Sequence, residues 1–286
     1  MHSQRNTING FTLIELLVVV SIIGLLIALL LPALAMANNS AKAVSTLGAM
    51  QQTIVAYNNY SVDHKDQLLH GYLPGSLYGQ AVTSELNGVT LGGLSAQRYP
   101  TRLAEYQGDS WELIYNHTSP PEIPSQGDPD FSIKAYALGV NPSFGINATF
   151  VGGDQRYRGF AVSGGVNKPN PLGPAVFKLH RVKAPSGLIA LAESREYVGG
   201  KLNENGFHTV SAPINEGVSQ WYAEGEEIGF PSAFGGVGTP SGRFVNAAAT
   251  GFIDGHSEAL KPAELEDMRL WSNYAKTADD PALYPN

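Results

Sequence analysis

The stretch Gly10–Val20, "GFTLIELLVVV", decides the architecture. It opens a long apolar run and yet keeps a carboxylate, Glu15, near its start. An ionised side chain in a membrane span costs several kcal/mol, roughly 2.5 or more at the centre, unless it is paired or held near an interface. Glu15 therefore calls for a partner. From Leu16 to Ala37 the only residues that are not apolar are Ser21, Gly24 and Pro32. As a helix rising 1.5 Å per residue this run covers about 33 Å, enough to cross a bilayer core. A secretory signal has a shorter apolar region of roughly 7–15 residues. "ALAMA" at Ala33–Ala37 nevertheless has the small residues of a signal cleavage site. Pro32 lacks an amide donor and is expected to kink the helix or loosen one turn.

Toward the N-terminus, residues 1–10 are polar, with His2 and Arg5 and no acid. A positive flank stays cytoplasmic, which places the C-terminal bulk outside the cytoplasm. Toward the C-terminus the helical signal continues from Ala33 to about Tyr60. Ala43, Leu47, Met50, Ile54 and Tyr57 recur at helical spacing, with Lys42, Gln51 and Asn58 elsewhere. The pattern predicts one helix from about Thr12 to Tyr60, its second half packed on a globular domain.

"GFTLIELLVVVSIIGLLIALLLPAL" (Gly10–Leu34) resembles the N-terminal motif of type IV prepilins, shared by pilins and type II secretion pseudopilins. The resemblance implies cleavage between Gly10 and Phe11 by a membrane aspartyl prepilin peptidase and N-methylation of Phe11. It implies that Glu15 pairs with the terminal amine of a neighbouring subunit, so that a charge too costly to leave alone sets the stagger of helix on helix. Glu15 and Pro32 are the assembly candidates. The expected fold is α+β, a pilin-like lollipop: a leader over 1–10, a transmembrane or filament-core helix over 11–35, and a loop-rich antiparallel β-sheet head over 36–286 outside the cytoplasm. The implied partners are the prepilin peptidase, other pilin or pseudopilin subunits, the inner membrane and the secretion or pilus assembly platform.

Composition agrees with a loop-rich globular head: 43% of the 286 residues are apolar, and Gly (32) and Pro (18) are frequent. A net charge of −7 argues against a basic nucleic-acid surface. The absence of cysteine excludes disulfides, thiolate zinc sites and Cys nucleophiles. Residues 61 to about 175 read as loops and short strands. Leu188–Ala192 reads as a buried strand after a Pro185–Gly187 turn. "RFVNAAATGFIDGHSEALKP" reads as a hairpin with Asp254 and Gly255 in a two-residue type I′ turn. A helix is predicted over Pro262–Tyr274, with Glu264, Glu266 and Asp267 near its N-terminus.

These later segments resemble a large-headed group of pseudopilin-like proteins marked near the C-terminus by His, nine residues, then Asp-Gly. Asp254, Gly255 and His256 keep the end of that signature, but Phe244 stands where the His is expected, so the role of that His does not carry over.

Asp254 and His256 invite a metal or catalytic reading, against which stands a plain hairpin turn with a His on the outgoing strand. No cofactor is called for. Calcium is the one candidate, because related heads bind it through carboxylates and carbonyls. The acidic stretch Gly127–Asp130 lacks the alternating ligands of an EF-hand. His64, His70, His117, His180 and His208 are dispersed and form no His-x-x-x-His pair. Gly236–Gly242 lacks the Lys of a phosphate loop. Glu224–Phe230 reads as a solvated acidic loop, and Trp111, Trp221 and Trp271 as anchors of the head. No nucleophile motif supports an enzyme. The expectation is a structural filament subunit, with a displayed binding module for a polysaccharide or exoprotein as the alternative.

Overall fold

The computed structural model describes residues 12–116, 120–198, 201–203, 205–214, 222–224, 227–229 and 237–280. The chain divides into two compact units, Met1–Lys42 and Ala43–Asn286.

The first unit is helical from Leu13 onward. It is the beginning of α1 (Leu13–Asp63), a single 51-residue helix close to the one expected from the sequence. The α-helix runs through Pro32 without a break in its helical backbone. Proline deletes one backbone bond, the one to the carbonyl of Ala28, and the Leu- and Ala-rich turns on both sides keep the helix together. The side chains from Leu13 to Leu34 are exposed along the whole length of this segment.

The second unit is an α+β head. Within it α1 presents Met50, Ile54 and Tyr57, all fully buried, with Ala49 and Tyr60 beside them. Burying an aliphatic side chain of this size stabilises by about 1.5–3 kcal/mol. Three small antiparallel hairpins lie in the head: β1 (Ser76–Leu77) with β2 (Gln80–Ala81), β3 (Thr83–Leu86) with β4 (Val89–Gly92), and, after β5 (Phe144–Ile146), β6 (Phe160–Ser163) with β7 (Val166–Pro169). Three helices also fall in the region expected to be loops and short strands: α2 (Gly93–Gln97), α3 (Tyr99–Gln107) and α4 (Phe131–Val140). Pro100 sits in the first turn of α3, and Leu103 and Leu138 seat α3 and α4 in the interior.

The principal sheet is antiparallel. Its centre is β8 (Ile189–Val198), longer than the five-residue strand expected. Around it pair β5, β9 (Lys201–Asn203), β12 (Val237–Pro240) and β13 (Ala248–Phe252), and β13 pairs with β14 (Ser257–Leu260). A separate pair, β10 (Tyr222–Glu224) and β11 (Glu227–Gly229), lies apart from this sheet. The buried Glu193 of β8 pairs with Arg243 at 3.2 Å, and Arg243 also donates to the Ser194 carbonyl.

Strand alternation divides the core. Ala249 of β13 joins the α1 side with Met50, Ile54 and Leu191, whereas Ala248 and Phe252 join Ile189, Leu265, Met268 and Trp271. The predicted helix over Pro262–Tyr274 is a short α5 (Pro262–Leu265) followed by a 3-10 turn at Met268–Leu270. Asp267 interrupts it with extended backbone, and its carboxylate accepts the amide of Arg269 to begin the next turn. Trp271 is fully buried, and its Nε1 donates to the Leu265 carbonyl at 2.8 Å.

Candidate functional site

The N-terminal end of α1 is held by a reciprocal cap. Glu15 Oε2 accepts from the Thr12 backbone amide at 2.8 Å and from the Thr12 hydroxyl at 2.7 Å. The Glu15 amide donates to Thr12 Oγ1 at 3.3 Å. This is a capping box, in which two otherwise orphaned helix donors are satisfied by each other's side chains, and a capping side chain contributes about 1 kcal/mol. The Thr-x-x-Glu spacing before the apolar run was a readable signal for it. Both Thr12 bonds fall on Oε2; among the described residues Oε1 has no hydrogen-bond partner. The carboxylate is thus fixed at the head of an apolar helix with one oxygen free. Gly10 and Phe11, the expected processing residues, lie outside the described residues.

Past the cap, α1 is long and apolar enough to cross a membrane, and the span lies near the N-terminus. Ser21 stays compatible with a hydrocarbon setting because its hydroxyl donates to the Leu17 carbonyl at 2.8 Å.

The C-terminal signature has a different geometry from the one expected. Only Gly255 has positive φ, at 97°, so a type I′ turn at Asp254–Gly255 is ruled out. The Gly255 amide donates to the Phe252 carbonyl (2.9 Å) and the Phe252 amide to the His256 carbonyl (3.0 Å). The loop is therefore three residues, Ile253–Gly255, with Gly255 in the left-handed position of a bulge. Asp254 Oδ1 accepts the His256 amide (3.2 Å) and faces His256 Nδ1 at 2.5 Å, while the imidazole stacks on Phe252 at 4.3 Å. Partial burial pushes the Asp254 carboxyl up, but the His256 bonds outweigh this and hold it below the usual carboxylate range.

Gln51 of α1 ties this loop down. Its Nε2 donates to the Gly255 carbonyl, and its Oε1 accepts from the Ser257 hydroxyl, both at 2.8 Å. Gln51, Gly255 and Ser257 thus form a latch between the last hairpin and the first helix, while Asp254 and His256 shape the loop from within. Gln51 had no sequence signal, since its partners lie about two hundred positions away. Phe244, at the position of the missing signature His, is half-buried in the turn after β12, next to the Arg243–Glu193 pair.

The acidic stretch near Asp128 surrounds a lysine. Lys134 Nζ lies 3.2 Å from Glu122, 3.4 Å from Asp128 and 3.7 Å from Asp130. The Glu122 contact leads in holding its ammonium above the ordinary lysine range. Among the described residues no group of three His, Asp or Glu side chains is arranged to hold a metal ion. His64 stacks on Tyr60, His70 and His208 are buried apart, and His180 faces Asp66. His117, Trp221 and the acidic stretch 224–230 fall outside what is described of side chains.

Residues 5–31 match the prokaryotic N-terminal methylation motif. The match covers the processing residues, Glu15 and most of the apolar run, and it supports a type IV prepilin- or pseudopilin-like protein. It also fits a chain anchored in a membrane by a single N-terminal helix. No curated protein and no solved structure matches the chain.

Proposed function

We propose that the chain is a non-enzymatic structural subunit of a type II secretion pseudopilus or type IV pilus-like filament. Prepilin peptidase cuts between Gly10 and Phe11 and the new Phe11 amine is methylated. The α1 span anchors the subunit in the inner membrane with the head outside the cytoplasm until the assembly platform draws it into the filament. The observation that carries this reading is the capped Glu15 at the head of an exposed apolar helix, within a matched methylation motif. Thr12 holds Oε2 and leaves Oε1 to receive the cationic terminus of a neighbouring subunit, which offsets the cost of a carboxylate in apolar surroundings.

Two measurements test it. The N-terminal peptide from native membranes should begin at Phe11 and be heavier by one methyl group; a peptide beginning near Asn38 means ordinary signal cleavage and ends the proposal. Glu15→Val should be processed normally yet yield no filaments by electron microscopy, and wild-type filaments from this variant would remove Glu15 from assembly.

A further inference from the structure

The segment Phe177–Lys183, "FKLHRVK", concentrates positive charge in a chain of net charge −7. In the head it borders a cavity of about 270 Å³ walled by Pro169, Pro171, Phe177 and Tyr274, with Lys178 and Arg181 at its edge. Lys183 joins them: its Nζ lies over the Tyr274 ring at 5.4 Å.

The charges here are poorly balanced. Lys178 Nζ donates to the Lys65 carbonyl at 2.9 Å, a neutral partner. The Arg181 guanidinium and the Lys183 ammonium have no carboxylate partner among the described residues. The acid of this neighbourhood, Asp66, is engaged by the imidazole and the backbone amide of His180. Lys178 and Arg181 therefore line a cavity with no carboxylate among its lining residues, and Lys183 stands over its Tyr274 wall.

The walls narrow the choice of anion. Two prolines and two aromatic rings offer flat C–H and π faces suited to the apolar face of a sugar ring. A guanidinium fork matches a carboxylate bidentately. The volume lies below the roughly 300–1,000 Å³ of pockets that enclose drug-sized ligands, which suits a single ring. We propose that this cavity binds a carboxylate-bearing pyranose, one uronate unit of an acidic polysaccharide, with the ring against Phe177 and Tyr274 and the carboxylate on Arg181. An acidic peptide supplies the carboxylate but no ring for the walls. The site lies wholly in the head and does not depend on the N-terminal assembly reading.

The test is calorimetric titration of the full-length protein in detergent with trigalacturonate, maltotriose and triglutamate. Trigalacturonate should bind with a Kd of about 1 mM or tighter, and the other two at least about tenfold more weakly. Arg181→Gln and Lys183→Gln, both at exposed positions, should each weaken trigalacturonate binding about tenfold. Arg269→Gln, which does not line the cavity, should leave it unchanged. No binding of trigalacturonate by the wild type overturns the proposal. So does equal binding of triglutamate, which makes this a site for acidic peptides, or undiminished binding by Arg181→Gln.

Discussion

Gly255 is held to glycine by its backbone conformation, with a close side chain beside it. Its φ of 97° lies in the left-handed region, and a Cβ there would stand 3.0 Å from Asn58 Nδ2 on α1. Replacing Gly255 with Val should destabilise the head by about 1–2 kcal/mol from backbone strain alone, read as a lower urea midpoint. An unchanged midpoint would mean that the latch is dispensable. At this scale the sequence was informative where partners are close along the chain. Thr12 and Glu15 are three positions apart, and their reciprocal cap is spelled out by residue type. Asp-Gly correctly marked a turn, but the turn type depends on how β13 and β14 pair, which residue identity does not encode. The Gln51 latch was invisible for the same reason, because hydrogen bonds between remote positions carry no local signature.

Among the elements, the long helix was legible from its apolar run and the helical spacing that follows it, and the strand after Pro185 from a continuous apolar run behind a turn. The short ones were less so. The type I′ geometry expected at 254–255 occurs instead at Tyr78–Gly79, Asn87–Gly88 and Gly164–Gly165, where both central residues have positive φ and a two-residue loop joins paired strands. Asn87–Gly88 is a strong hairpin signal in its own right. Helices α2 to α4 are shorter than the length at which helices persist alone, so packing decides them. β13 meets α1 closely at Gly251. A Cβ on Gly251 would stand 2.9 Å from Met50 Sδ and 3.2 Å from Ile54 Cβ. Gly251→Val should force the strand off the helix at a cost of about 1–3 kcal/mol, by the overpacking penalty known for filled cores. Gly251→Ala should cost less; equal unfolding midpoints for both variants and wild type would show that the strand has room to move.

Across the whole molecule, two buried histidines make the head sensitive to mild acid. Burial pushes His70 down to about 3, with Arg102, His64 and Lys178 adding to the effect against the Gly152 carbonyl. Burial, Arg156 and Arg98 hold His208 well below its ordinary range. Both are neutral in the folded head, whereas the unfolded chain takes up their protons near pH 6.5. Their contribution is therefore fully present above pH 6.5 and is lost as the pH falls below it, by roughly 1.4 kcal/mol per pH unit for each. Asp66, Asp128, Asp254 and Asp267 are held below their ordinary value of 3.8, so what they contribute is lost only at lower pH. Urea midpoints should fall steadily from about pH 6 to 4, and His208→Phe should roughly halve that slope. A flat profile over this window would show that neither imidazole stays neutral. No motif announced this property, since it comes from the packing of the whole head and not from any spacing along the chain.

The latch of Gln51 on Gly255 and Ser257 also sets an order of events in time. The contacts join positions more than two hundred residues apart, and the strand that meets Met50 and Ile54 is synthesised after most of the head. Long-range closure of this kind is slow, because the chain entropy is lost before the contact is made. Until β13 is made, the inner face of the head helix has only part of its cover and remains sticky. A nascent chain halted before Ala248 therefore carries a partly uncovered helix and an unfinished sheet. The cell meets it as a client for chaperones and proteases, and folding of the head waits until β13 and β14 have been made.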